Sequence, residues 1–156
     1  MRSMLSVALI LSLCSSPAAF ALDKDKAKYV GGTVGNMSQN AEGNLSLSDQ
    51  TKMVFVAEKG AGILEVPYKE VSELEYGQKV GRRWKAAILW AGPAALLFKA
   101  RKHFLTVGYK DSSGADQAAV LELGKDIVRT TLASLEARTG RKVTYQDEEA
   151  AKHRGN

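Results

Sequence analysis

The side chains able to do acid–base, nucleophilic or metal chemistry are few and scattered. His103 and His153 are the two imidazoles of the chain, and neither stands in the HExxH or paired-His spacing that holds zinc. Cys14 is the single cysteine, so the chain can build no internal disulfide, CxxC redox pair or cysteine metal centre. "GGTVG" at residues 31–35 lacks the strand–loop–helix setting of a phosphate cradle, and there is no GxSxG elbow. Asp147-Glu148-Glu149 could attract a divalent cation, but an exposed acidic run is usually only solvated. His103, between Lys102 and Phe104, reads as a residue that opens a strand rather than as a proton shuttle. General acid–base catalysis needs such groups within hydrogen-bond reach of one another. The sequence therefore predicts a protein that is not an enzyme, with no catalytic residue, no metal site and no cofactor.

Binding chemistry, by contrast, gathers in one segment. Tyr76 to Lys110 holds Lys79, Arg82, Arg83, Lys85, Lys99, Arg101, Lys102 and Lys110 with no acid. The regions on either side carry more acids than Lys and Arg, from Leu22 to Glu75 and from Asp111 to Asn156. Inside the basic segment, Ala86 to Phe98 is free of charge. As a helix that run would rise only about 20 Å against about 30 Å of hydrocarbon, and Gly92-Pro93 interrupts it, so a membrane span is not expected. Three readings remain. The run packs on its own domain, as apolar residues usually do. It enters a bilayer interface, with Trp84, Trp90, Leu96, Leu97 and Phe98 as a wedge and Arg82, Arg83, Lys85, Lys99, Arg101 and Lys102 on anionic headgroups. Or it fills a groove in an envelope protein or a second copy, where Trp and Arg dominate hot spots. Nucleic acid is set aside, because the aromatics are not interleaved with the cations as stacking platforms.

The elements that must hold this segment are mostly strands. "KYVGGTVG" reads as an edge-like first strand ending near Gly35, and "NMSQNAEGN" as turn chemistry. "NLSLSDQ" alternates apolar and polar residues, "KMVFVAE" is β-branched and aromatic, and "KGAG" turns into "ILEVPY", whose Pro67 limits pairing. "VSELEYGQKV" offers Val71, Leu74 and Tyr76 as inward residues. "HFLTVGYKD" places Phe104, Thr106 and Gly108 on one face and Leu105, Val107 and Tyr109 on the other. "DSSGAD" then turns into "QAAVLELG". About seven short strands with regular turns predict a barrel or sandwich. In "KDIVRTTLASLEARTGRK" the period changes: Val128, Leu132 and Leu135 share one helix face, widened by Ile127 and Ala133. Gly140 stands where a C-cap glycine belongs, with Arg138, Arg141 and Lys142 favouring that end of the dipole. "KVTY" is a candidate for one more short strand.

Seven strands closed by a C-terminal helix resemble the pleckstrin-homology-like superfold, in its GRAM and bacterial PH-like branches. The resemblance rests on "YVGGTVG", on "GILEVPYKEVSELEYG" and on "HFLTVGY" followed by "AAVLELGKD", and covers about Lys28 to Gly140. It implies a mainly β fold with one C-terminal α-helix, a PH-like seven-stranded barrel or sandwich capped by that helix. It also implies a non-enzymatic module that binds lipid headgroups, membranes or proteins. The first hairpin turn, "NMSQNAEG", holds no Lys or Arg, so the headgroup-binding residues of phosphoinositide-binding relatives are not carried over.

The N-terminus carries an address rather than structure. A basic start at Arg2, an apolar run "MLSVALILSL" and "CSSPAAFA" with Ala19 and Ala21 in an A-x-A arrangement read as a secretory signal peptide. An uncleaved anchor, or a lipoprotein modified at Cys14, is the lesser reading; the residue before Cys14 is Leu13, not the small residue a lipobox favours. The expected organisation is a signal peptide over 1–21 and a charged lead-in over 22–27. The domain follows over 28–145, with the basic-apolar insertion at 79–103, and a polar tail over 146–156. The expected location is periplasmic or secreted, peripheral on an anionic membrane surface or on an envelope protein. The exported protein is expected to begin at Leu22, checked by its intact mass; a mass retaining residues 1–21 contradicts the cut after Ala21.

Overall fold

Alternating inward side chains, turned by Asn, Gly and Asp, build most of the molecule. The structure is a computed structural model and describes residues 25–78 and 102–146, together with Ala151. The strands are β1 (Asp25–Gly32), β2 (Ala41–Ser46), β3 (Lys52–Ala57), β4 (Ile63–Pro67), β5 (Val71–Gly77), β6 (His103–Lys110), β7 (Asp116–Leu123) and β8 (Val143–Tyr145). One helix, α1 (Val128–Thr139), lies between β7 and β8. The fold is mainly β: a curled, eight-stranded half-barrel sheet with one C-terminal helix. Among the described residues the order is β4-β3-β2-β1-β7-β6-β5-β8, with only β5 and β8 parallel.

The curl follows from chain length. β4 is one edge of the sheet and β5 lies beside the opposite edge, yet only the single 3-10 turn Tyr68–Glu70 joins them. At about 3.5 Å per residue that turn spans little more than 10 Å, so the two ends of the sheet must bend toward each other. The interior so formed is filled by Tyr29, Leu45, Met53, Phe55, Val66, Leu74, Tyr76 and Leu121. Val71, Leu74 and Tyr76 all point inward as expected. They do so because β5 carries a bulge between Val71 and Glu73, which resets the two-residue alternation.

Several boundaries differ from the sequence reading. β1 starts at Asp25, inside the charged stretch read as a lead-in, because Asp25 to Tyr29 pair with Leu45 to Ala41 of β2. It ends at Gly32, not near Gly35. β2 begins three residues before "NLSLSDQ": Asn40 takes a positive φ of 58° and ends the turn. Gly43 then serves inside the strand, where a Cβ would collide with the Phe55 ring and the Val56 carbonyl. "KVTY" does add a strand, β8, so the described strands number eight rather than seven. Residues 1–24, 79–101, 147–150 and 152–156 lie outside the described residues, and the signal peptide and most of the polar tail with them.

α1 closes the interior with the expected face. Val128, Leu132 and Leu135 are buried, and Gly140 ends the helix at φ 67° with its N–H donated to the Glu136 carbonyl at 3.0 Å. Thr131 rather than Ala133 completes the stripe; Ala133 is exposed. Positions 128, 131, 132 and 135 follow the i, i+3, i+4, i+7 rule, whereas 133 turns about 100° past 132. Arg138 does more than complement the dipole. Its guanidinium donates to the carbonyls of Leu47 and Asp49 and to the Tyr68 hydroxyl at 3.0 Å, and lies 5.4 Å from the centre of the Tyr68 ring. One cation thereby ties the helix to the β2–β3 turn and to the short connection that forces the curl.

Among the described residues the buried Thr131 hydroxyl finds no hydrogen-bond partner. An orphaned buried donor costs about 1–3 kcal/mol, so Thr131→Val is expected to raise Tm by several degrees. Leu132→Ala, on the same face, is expected to cost about 2–5 kcal/mol. Thermal unfolding followed by circular dichroism checks both, and a Tm lowered by Thr131→Val contradicts the assignment.

Candidate functional site

The basic-apolar insertion is rooted at one end of the sheet. β5 and β6 are adjacent antiparallel strands with Gly77 opposite Phe104, so a hairpin of two to five residues would suffice to join them. Instead the chain runs through residues 79–101 before β6 begins. Arg82, Arg83, Trp84, Lys85, Trp90, Leu96, Leu97, Phe98, Lys99 and Arg101 fall there, outside the described residues, as does Ala21. Lys102 is the one expected contact residue that the structure places. Its ammonium lies 2.9 Å from Glu122 Oε2, with both side chains partly buried. The positive charge at the foot of the insertion is thus already paired with the sheet.

Around this root the inner side is aromatic. The Tyr76 hydroxyl lies 2.6 Å from Nδ1 of His103, the two rings stack within 5° of parallel, and Tyr145 meets Tyr76 edge-on. His103 opens β6 as the sequence suggests and, in addition, caps the buried Tyr76. The Gln146 side chain crosses over Gly77 and donates to Glu75 Oε1 at 3.0 Å. A side chain at position 77 would push Gln146 away.

On the outer side lies a feature the sequence reading passed over. Strand alternation puts Phe104, Thr106 and Gly108 of β6 on the face opposite Leu105 and Val107. Their cross-strand partners there are Glu122, Val120 and Ala118 of β7, and Val30 of β1 adjoins them. None of these residues belongs to the interior cluster, which holds Leu105, Val107, Ala119 and Leu121 instead. Yet Phe104, Thr106, Ala118, Val120 and Val30 are each exposed by 2 % or less. β6 and β7 are therefore buried on both faces. The signal for this was present: "FLTVGY" and "AAVL" are nearly continuous apolar runs, and such runs mark strands covered on both sides. The outer row of β5, Glu73 and Glu75, supplies an acidic border to this floor.

Elsewhere, an open cleft of about 750 Å³ is lined by Val34 and Asn36 before β2, by Ile63 and Pro67 of β4, and by Lys110 and Asp111 at the β6–β7 turn. Its charges are engaged within the protein. Lys110 pairs with Asp116 at 2.8 Å. The Asp111 carboxylate accepts from the Ser113 hydroxyl and N–H, the Ala115 N–H and the Gln117 amide. Burial raises the Tyr29 phenol to about 12 and pushes Tyr68 and Tyr109 upward, for Tyr68 against the opposing pull of Arg138. Among the described residues no group of three His, Cys, Asp or Glu could hold a metal ion, and no helix is long and apolar enough to cross a membrane. Compared with known proteins, the chain matches no protein family and no curated protein.

The hydrogen bonds from Ser113, Gln117 and Ala115 hold the Asp111 carboxyl down to about 2. A depressed carboxyl stabilises the folded chain above its unfolded pKa of about 4 and loses that contribution as pH falls toward 2. The urea midpoint of the wild type is expected to drop across that window more steeply than that of Asp111→Asn. Parallel curves contradict the tethering of the turn.

Proposed function

We propose that the protein is an exported, non-enzymatic binding module of the PH/GRAM-like architecture, associating with an anionic membrane surface through its basic segment 79–104. The architecture is supported by the order of β1 to β7, a consecutive meander whose two halves meet at β1 and β7, followed by one C-terminal helix. Export is supported by the basic, apolar and small-residue order of residues 1–21.

The observation that carries the binding reading is where the charge sits. All eight cations of the acid-free window lie on the insertion or on β6 just after it. Lys102 and Lys110 are paired with Glu122 and Asp116. Lys79, Arg82, Arg83, Lys85, Lys99 and Arg101 lie outside the described residues, on a segment joined at both ends to the same end of the sheet. A cation near an anionic leaflet contributes about 1 kcal/mol, screened within a Debye length.

Co-sedimentation with vesicles tests this. Binding is expected to rise with the fraction of phosphatidylglycerol or phosphatidylserine and to fall with salt. The triple change Arg82→Ser, Arg83→Ser and Arg101→Ser is expected to weaken it about a hundredfold. Equal binding to neutral vesicles, or binding untouched by the triple change, contradicts the reading. A protein that ignores vesicles but elutes as a stable dimer assigns the segment to protein docking instead.

A further inference from the structure

The two edges of the sheet are unlike. Among the described residues β8 pairs only with β5 and β4 only with β3, so each leaves one row of backbone N–H and C=O groups without a strand beside it. β8 is three residues long, and a short edge is a poor template for further pairing. β4 has five residues and runs in unbroken register against β3. Pro67, which has no N–H to donate, stands only at its end. Lysine, a bulge or a central proline blunts many sheet edges, and Ile63 to Val66 has none of them. Ile63 is instead 53 % exposed, and its cross-strand neighbour Val56 is 40 % exposed.

Beside this edge lies the open cleft of about 750 Å³. Ile63, Leu64, Glu65 and Pro67 line it from one end of β4 to the other, and Lys69 and Glu70 continue that wall. The rest of the lining comes from the β1–β2 connection, the end of β6 and the β6–β7 turn. β4 pairs with none of these, so the cleft is the seam of the curled sheet. A strand of five residues is about 17 Å long; at about 4.8 Å between strands and about 10 Å of sheet depth it fills roughly 800 Å³. The seam has the size of one such strand. We infer that it is the docking lane for an extended, uncharged peptide segment of a partner protein, which pairs with the free edge of β4 as an added strand.

Two properties of the lane set the chemistry of its occupant. The charged side chains that line it are already engaged within the protein. Lys52 holds Glu65 at 2.9 Å, Lys69 lies 3.6 Å from Glu70, Lys110 meets Asp116 at 2.8 Å, and Asp111 is tied by Ser113, Ala115 and Gln117. A charged side chain entering the seam would give up water without gaining a free counter-charge. A second copy would bring Glu65 of its own β4 into the lane, which the same argument disfavours.

The alternation of β4 sets the rest. Leu64 and Val66 point inward and Ile63 and Glu65 outward. A segment paired with this edge lays one row of side chains beside Leu64, where Val34 and Tyr109 also line the cleft, and the other row beside Ile63 and Glu65. Alternating valine and threonine suits both rows. Main-chain bonds to β4 supply the affinity and the two rows fix the register. This inference rests on the sheet edge and is independent of the membrane reading of residues 79–104.

The test uses the full, isotopically labelled chain and two peptides: acetyl-Thr-Val-Thr-Val-Thr-amide, and the same peptide with both valines replaced by proline. At millimolar concentration the first is expected to slow amide exchange at the β4 positions not bonded to β3, about twofold at half-saturation. It is also expected to move the Ile63 and Leu64 amide resonances and to leave β8 unchanged. The proline peptide, which cannot continue a ladder, is expected to do neither. Ile63→Lys, at an exposed position, is expected to keep the wild-type Tm and to weaken the effect several-fold. Unchanged β4 exchange with the first peptide, or an equal effect of the proline peptide, overturns the inference. Protection that grows with protein concentration alone gives the edge to a second copy and overturns it as well. So does a β4 edge already protected in the dilute chain without peptide, which gives the lane to the chain itself.

Discussion

The structure depends on a pair of strands that cannot face water on either side. β6 and β7 put Leu105, Val107, Ala119 and Leu121 into the half-barrel and Phe104, Thr106, Ala118 and Val120 out of its other face, and all eight are buried. A sheet with one apolar face needs one partner layer; a sheet with two needs two. α1 supplies the inner layer. The outer row of these two strands is buried as fully as the inner one.

The inner layer is locked by geometry at the opposite end of the sheet. The Tyr68–Glu70 turn is too short to let the edges spread, and Arg138 bridges that turn, the β2–β3 turn and the helix. Arg141 adds a bond from its Nε to the Val71 carbonyl at 3.2 Å. At the insertion root, Tyr76, His103 and Tyr145 pack ring against ring. Ion pairs among the described residues stitch neighbouring strands, as Lys52 does with Glu65.

Much of the fold was legible in the sequence, and particular residues show why. The alternation of "KMVFVAE" and the period of Val128, Leu132 and Leu135 are local patterns imposed by a buried face, so strand β3 and helix α1 could be read directly. β2 could not be placed so well, because Gly43 and Asn44 look like turn residues, and only the Phe55 ring across the sheet explains a glycine there. The Val71–Glu73 bulge hid behind an alternation that seemed regular from either end. Arg138 was read as a dipole partner because its real partners, Leu47, Asp49 and Tyr68, are distant in sequence. The insertion was recognised by its charge and its apolar centre. The burial of both faces of β6 is harder to read, because Thr106 and Gly108 make its second row look less apolar than it is.

The account joins these observations in one claim: β6 and β7 are buried on both faces, and their outer row holds the fold as the inner row does. The most direct measurement is the urea midpoint of Val120→Asp against that of Leu121→Asp, followed by circular dichroism. The account predicts a large loss of stability from both. A Val120→Asp midpoint equal to that of the wild type would contradict it.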